Sequence, residues 1–332
     1  MRLKTSSSNT NEITNVKRPP LGLALGGGVA RGWAHIGALK ALIEADVKPD
    51  IIAGTSIGAL VGGVYLAGKL DVLENWALAL NRRRMMSYMD IRWGGSGLMR
   101  GDRLARVLNH YLGDTRIEDL PTKYAAVTCD LRTGYEVWLQ KGALVSAVRA
   151  SYALPGAFDP VKIDGRYMID GALVNPVPVS ACRALGAHMV IAVSLNGDAF
   201  GPIGSSHELD VDDTLPDKVD PFQLASQSLN KLRPDRLLLK SMMGAAPKGK
   251  SPKIGSVMMS TLNIVMDRIS RSRLAGDPPD VFVAPRIGHI GMMEFTKAEE
   301  LIERGYRAMQ HEIPLIKSVI EVLSEIPSGN SA

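Results

Sequence analysis

Ser56 stands between two glycines in Gly54-Thr55-Ser56-Ile57-Gly58. A serine pinched this way at a tight strand-to-helix turn projects its hydroxyl from the tip, which is the setting of a nucleophile in acyl transfer. Such chemistry also needs hydrogen-bond donors aimed at the oxygen on which negative charge develops. Gly26-Gly27-Gly28 lies upstream, ahead of Arg31-Gly32. Three glycines between a strand and a helix leave backbone N–H groups bare for an anion. Phosphate motifs fit this segment poorly: it has no G-x-x-x-x-G-K-[ST], and Arg31 falls where G-x-G-x-x-G wants its third glycine. An oxyanion hole of Gly26, Gly27 and Gly28 serving Ser56 fits better. Downstream, Met168-Ile169-Asp170-Gly171-Ala172 carries a carboxylate at an Asp-Gly pair, which in isolation reads as a turn.

The elements that must position these residues are legible around them. Pro49 to Ala53 reads as the strand entering the serine turn and Ala59 to Ala67 as the buried helix leaving it. Pro20 to Leu25 reads as a first strand, with a helix opening at Arg31 and running to about Ala45. Helices are predicted over Asp71–Asn81, Gly101–Leu112, Gly142–Ala150 and Ser256–Leu274. Strands are predicted over Tyr124–Cys129, Tyr135–Leu139, Met189–Val193 and Val281–Ala284. Val161-Lys162-Ile163 and Tyr167-Met168-Ile169 flank Asp164-Gly165, a hairpin signal that delivers Asp170 at its end. Alternating strands and helices predict an α/β fold, three layers α/β/α around a mostly parallel central sheet.

The chain has 332 residues, 45% of them apolar, and a net charge of +5, enough for one large domain with a sizeable core. Residues 1–19 are polar, lack an apolar signal region and read as a disordered leader. Residues 20–310 read as the catalytic domain and 311–332 as a C-terminal helix and tail. Within the domain, 196–253 is rich in Gly, Pro, Ser, Asp and Lys. It reads as a variable insertion: a solvated loop, a cap over the site or a membrane-touching segment. The helix from Ser256 is expected to pack its apolar side, Met259, Leu262, Ile264, Val265, Met266 and Ile269, into the core. No apolar run reaches transmembrane length, so a cytoplasmic location is expected. Cys129 and Cys182 read as buried free thiols. No cluster has metal-ligand spacing, so neither metal nor other cofactor is expected. Nucleic-acid binding would want a concentrated basic stripe with aromatics. The one dense run, Arg82-Arg83-Arg84 followed by Met85, Met86, Tyr88 and Met89, is either a solvated helix end or a dock for anionic lipid on the inner membrane face.

Taken together, Gly26-Gly27-Gly28-Val29-Ala30-Arg31-Gly32, Gly54-Thr55-Ser56-Ile57-Gly58 and Asp170-Gly171-Ala172 resemble, in order and spacing, the patatin-like phospholipases, and among them the compact bacterial members. Ala150 to Phe158 and Asp280 to Pro285 are similar to further segments of that family, so the resemblance spans about residues 19–310. It implies a serine lipid acyl hydrolase acting on glycerophospholipids or acylglycerols at a membrane surface. Ser56 is the implied nucleophile and Asp170 the base that takes its proton directly, with Gly54, Gly58 and Gly171 shaping the turns. Arg31 either anchors the glycine loop or meets a lipid phosphate. A carboxylate ordinarily titrates near 3.9, so partial burial is expected to raise Asp170 toward working pH. A Ser-His-Asp triad is the competing mechanism; of six histidines only His289, shortly after the last predicted strand, suits it. A soluble carboxylesterase, or a catalytically weak lipid-binding regulator, is the alternative function.

Overall fold

The computed structural model describes residues 18–88, 97–99, 101–197 and 254–325. The predicted leader, apart from its last two residues, lies outside the described residues, as do the insertion beyond Gly197 and the end of the tail.

The strands are β1 (Leu21–Leu25), β2 (Ile51–Thr55), β3 (Gly97–Met99), β4 (Lys123–Asp130), β5 (Glu136–Leu139), β6 (Gly156–Phe158), β7 (Val161–Ile163), β8 (Arg166–Asp170), β9 (Met189–Val193) and β10 (Val281–Val283). The helices are α1 (Ala34–Glu44), α2 (Ile57–Leu66), α3 (Leu70–Leu78), α4 (Arg82–Tyr88), α5 (Asp102–Leu112), α6 (Leu144–Ser151), α7 (Val179–Ala184), α8 (Ile254–Gly276) and α9 (Ala298–Glu325). β10, β9, β1, β2 and β4 pair side by side and parallel. β3 and β6 form a separate two-stranded pair.

Alternation along the strands builds the layers, because successive side chains point to opposite faces. Leu21, Leu23 and Leu25 of β1 join the larger core with residues of α1, α2, α3 and α9. Ala24 of the same strand joins a smaller core with Val179, Ala181 and Cys182 of α7. The result is the three-layer α/β/α arrangement, with unequal outer layers. Cys129 and Cys182 are buried free thiols.

One detail of register governs the site. β5 pairs antiparallel with Ala126 to Cys129 of β4. β2 pairs with residues up to Val127, and β8 pairs antiparallel with Thr128, Cys129 and Asp130. Because β5 covers these same β4 residues, β2 and β8 must both lie along the opposite edge, end to end. Thr55 is opposite Val127 and Asp170 opposite Thr128. The serine turn and the Asp-Gly turn therefore leave the sheet at adjacent positions of one strand.

Some boundaries differ from the sequence reading. The glycine loop enters not an α-helix but a 3-10 turn, Val29–Trp33, with α1 following. Arg82-Arg83-Arg84 begins a helix instead of ending one, because Asn81 accepts the Arg84 N–H through its side chain at 3.0 Å and so caps α4. α9 runs unbroken across residue 310, so the C-terminal helix starts at Ala298 and belongs to the domain; its Leu301, Ile302, Met309 and Ile316 are buried in the larger core. α8 is only partly a core helix. Met266 is buried, whereas Val257, Met258, Ile264 and Val265 are exposed. Its inner face follows Met259, Leu262 and Met266 at helical spacing, and Ile264 and Val265 fall on the outer one.

Candidate active site

Ser56 occupies a conformation that side chains rarely adopt, φ 56° and ψ −121°. Holding a non-glycine residue there costs on the order of 1–3 kcal/mol, and persists only where the surroundings enforce it. Two glycines let the turn close. A Cβ on Gly58 would stand 2.1 Å from the Leu25 carbonyl oxygen, and one on Gly54 would stand 2.5 Å from the Ala59 backbone. The Ser56 N–H donates to Ser151 Oγ at 2.9 Å, and Ser151 donates in turn to the Val127 carbonyl at 2.6 Å. Thr55 Oγ1 donates to the Asn175 carbonyl at 2.8 Å.

The Ser56 hydroxyl donates to Asp170 Oδ2 at 2.6 Å. The other carboxylate oxygen, Oδ1, accepts the Ala172 N–H at 2.8 Å. Gly171 presses against β4, where a Cβ would stand 2.2 Å from the Val127 carbonyl oxygen. Asp170 is buried, and that burial pushes its pKa up to about 6 although the hydrogen bonds from Ser56 and Ala172 pull it down. Desolvation penalises the charged form, so this carboxylate titrates well above its ordinary range.

The three loop glycines differ in what their N–H groups do. Gly26 donates to the Val193 carbonyl at 3.0 Å and Gly27 to the Pro176 carbonyl at 2.9 Å. Those two donors are consumed in holding the loop, contrary to the expectation of three free N–H groups. Among the described residues, the N–H groups of Gly28 and Val29 have no partner. Val29, with φ 53°, is a second strained residue and lines the same cavity as Ser56.

Arg31 is buried, and its guanidinium donates to the carbonyls of Ile290 at 2.8 Å and Gly288 at 3.1 Å and to Asn196 Oδ1 at 3.3 Å. Of its two readings this geometry favours loop anchoring. His35 is buried with its Nε2 2.7 Å from the Gly26 carbonyl, and burial lowers its pKa to about 4, so it is the neutral donor. His289 is half-exposed and pairs with Glu300 at 2.8 Å; no histidine lines the Ser56 cavity among the described residues.

Ser56 and Asp170 lie in the wall of an apolar cavity of about 140 Å³. Ile57 and Leu60 of α2, Trp76 of α3, Met85 and Tyr88 of α4 and Met259 of α8 supply much of the lining. Trp76 donates to the Tyr88 hydroxyl at 3.2 Å, which ties α3 to α4 across the cavity. Among the described residues no cluster of His, Cys, Asp and Glu could hold a metal ion, and no helix is long and apolar enough to cross a membrane.

Sequence reasoning missed Ser151, the Val29 N–H and the aromatic wall. Ser151 carried a signal, lying in the Ala150–Phe158 segment, but its bond to Ser56 joins residues far apart in the chain. The Val29 N–H carried none, since which amides are already bonded depends on carbonyls of distant strands.

The model of the patatin-like phospholipase family matches residues 23–183. NTE family proteins of Mycobacterium tuberculosis and Mycobacterium bovis are 34% identical over 321 residues, covering 86% of this chain and 89% of theirs. The protein named lysophospholipase nte1 of Emericella nidulans is 28% identical over 304 residues, covering 90% of this chain but 18% of that longer protein. The matched segment contains the glycine loop, the serine turn and the Asp-Gly turn. The chain belongs to the patatin-like phospholipases, a family of lipid acyl hydrolases.

Proposed function

We propose that the protein cleaves the carboxylic ester bond of a glycerophospholipid through an acyl-enzyme on Ser56, with Asp170 as its only proton acceptor. The observation that carries this reading is the 2.6 Å hydrogen bond from Ser56 to Asp170 at the wall of an apolar cavity. The acyl chain lies in that cavity. As Ser56 Oγ bonds to the carbonyl carbon, its proton passes to Asp170 Oδ2, and the oxyanion is met by the N–H groups of Gly28 and Val29. Gly26 and Gly27 serve by holding the loop. Protonated Asp170 then gives the proton to the leaving alcohol as the ester C–O bond breaks. A water molecule, deprotonated by the same carboxylate, releases the fatty acid and restores Ser56. A base near pKa 6 suits both directions of transfer better than an ordinary aspartate. Preorganised donors at the oxyanion contribute about 3 kcal/mol each in comparable sites.

A phospholipid is favoured over a neutral acylglycerol because fungal relatives bear the name lysophospholipase, and because basic charge flanks the cavity. Arg82, Arg83 and Arg84 are exposed on the first turn of α4, and the next residues of that helix, Met85 and Tyr88, line the cavity. Each arginine near an anionic leaflet is worth about 1 kcal/mol.

The test is lipid mass spectrometry of the purified protein with mixed phospholipid and acylglycerol bilayers, alongside fluorophosphonate labelling. Release of fatty acid and labelling at Ser56, both absent from Ser56→Ala, are the expected results. Hydrolysis that survives in Ser56→Ala overturns the assignment. Release from acylglycerol alone overturns the substrate class.

A further inference from the structure

Between the Asp-Gly turn and α7 runs a short connection, Val174 to Pro178. The Asn175 carbonyl accepts the hydroxyl of Thr55, the residue before Ser56, at 2.8 Å. The next carbonyl, that of Pro176, accepts the Gly27 N–H at 2.9 Å. Two consecutive carbonyls thus fix the serine turn and the glycine loop against each other. The Asn175 N–H donates back to the Gly171 carbonyl at 2.8 Å, which ties in the Asp-Gly turn as well. Such a connection keeps its place only if something holds it. Pro176 and Pro178 have no N–H to donate, so the side chain of Asn175 becomes important.

Asn175 is buried, and its amide donates to Glu136 Oε1 at 2.7 Å and to Ser180 Oγ at 3.1 Å. Among the described residues its own Oδ1 has no partner, so this side chain works as a donor. A carboxylate only accepts, so Glu136 dictates which way the amide points. Glu136 lies on β5 and is itself held from two sides. Trp138 Nε1 donates to the same Oε1 at 2.6 Å, and Arg273 of α8 meets Oε2 at 2.9 Å. Hydrogen bonds to an ionised group are stronger than those between neutral groups. Glu136 does not line the Ser56 cavity. We propose that Glu136 is a positioning residue: through the Asn175 amide it sets the carbonyls of Asn175 and Pro176, and through them the placement of Ser56 relative to the Gly28 and Val29 N–H groups. This rests on the acyl-enzyme reading above and adds to it a residue that never touches substrate.

The test separates reach from charge. Glu136→Ala removes the acceptor. Glu136→Asp keeps the charge but draws the carboxylate back by one methylene. Glu136→Gln keeps an oxygen for Asn175 and Trp138 and gives up the charge, while Arg273, 40% exposed, can turn to water. Two readouts are taken. Exchange of the Gly27 amide is followed by NMR relative to that of Ile191, which is paired on both sides in β9, to Leu23 and to Val281. The ratio needs no catalysis and cancels global opening. kcat and KM are measured for a short soluble ester. In Glu136→Ala the Gly27 amide should exchange about tenfold faster relative to Ile191, the worth of about one hydrogen bond. kcat should fall about tenfold or more while KM stays within about threefold, since a misplacement of about 1 Å costs on the order of a hundredfold. Glu136→Asp should follow Glu136→Ala, and Glu136→Gln should recover both readouts to within about threefold of the parent. If Glu136→Ala does not melt cooperatively, Glu136→Asp against Glu136→Gln carries the same test. Unchanged Gly27 exchange in the folded variant, or faster exchange with kcat retained, overturns the proposal. So does Glu136→Gln being more damaging than Glu136→Asp, the order expected if only the ion pair with Arg273 mattered. If the parent hydrolyses no ester while Gly27 exchange still responds, the acyl-enzyme reading fails and Glu136 stands as the residue that sets the glycine loop.

Discussion

Ser56 and Asp170 sit 2.6 Å apart but are mounted differently. Ser56 ends a parallel strand inside the sheet and is held by strain: a positive φ, two glycines with no room for a Cβ, and a backbone N–H clamped by Ser151. Asp170 ends an antiparallel hairpin at the sheet's margin and is held by register. The hairpin turn, Asp164 at φ 45° and Gly165 at φ 79°, has the two positive φ values of a tight two-residue connection. Pairing with β4 then carries Asp170 to the position beside Thr55. Ser56 is thus positioned by what cannot fit around it, and Asp170 by counting residues along a strand. The first arrangement should be brittle and the second tolerant at its far end.

The sharpest way to break that contrast is Gly58→Ala. The added Cβ would meet backbone at 2.1 Å, and neither β1 nor α2 can retreat. A loss of about 4 kcal/mol or more, in the class of severe core defects, is expected in denaturant titration. A stable, active Gly58→Ala protein would remove the steric account of the turn.

Asp170→Asn tests the other mounting through stability. The carboxyl pKa is raised in the folded protein from 3.8 to about 6. Between these values the folded state binds more protons than the unfolded one, so stability falls as pH rises from about 4 to 6. Above pH 6 the buried charge costs on the order of 2–3 kcal/mol. The amide carries no such cost, so Asp170→Asn should be the more stable protein at pH 8 and lose that advantage near pH 4. Thermal melts at both pH values read this directly. Greater instability of the variant at pH 8 would mean that the carboxylate is needed structurally.

Ser151→Ala lies between the two mountings, since Ser151 bonds both the Ser56 N–H and the Val127 carbonyl. Its removal leaves a buried donor and a buried acceptor unpaired, an expected cost of about 2 kcal/mol. kcat should fall more than KM rises, because Ser56 loses a restraint and the cavity does not change. The smallest effect belongs to Gly165→Ala. No atom lies within 4 Å of its Cβ position, so only the positive φ penalises it, about 1 kcal/mol. Activity should be retained, and its loss would show that the hairpin tip takes part in positioning Asp170.

The same contrast explains what could be read from the sequence. Strain leaves a local signature: Gly54, Gly58 and the apolar runs on either side of Ser56 mark the turn in a few residues. The Asp164-Gly165 hairpin is equally local, and from it the delivery of Asp170 followed. Long-range pairing leaves no such mark. That β2 and β8 share one edge of β4 depends on which edge β5 has taken, and no spacing encodes it. That Gly26 and Gly27 have spent their N–H groups depends on the Val193 and Pro176 carbonyls. α4 could have been found from Asn81, a good capping residue directly before the arginine run. The exposed outer face of α8 could not, since an apolar stripe does not say how many of its residues find a partner.

In the proposed mechanism Asp170, and no histidine, takes the proton from Ser56. Its most direct test is kcat/KM for a short soluble ester measured from pH 4 to 9 in the parent, Asp170→Asn and His289→Ala. The parent should show an acid limb with a midpoint near pH 6, the value at which Asp170 gains its proton. Asp170→Asn should lose about a thousandfold or more across the range, as when one member of a catalytic unit is removed, while remaining folded. His289→Ala should keep the parent's profile. A folded Asp170→Asn enzyme within tenfold of the parent, or an acid limb that disappears in His289→Ala, would contradict the account.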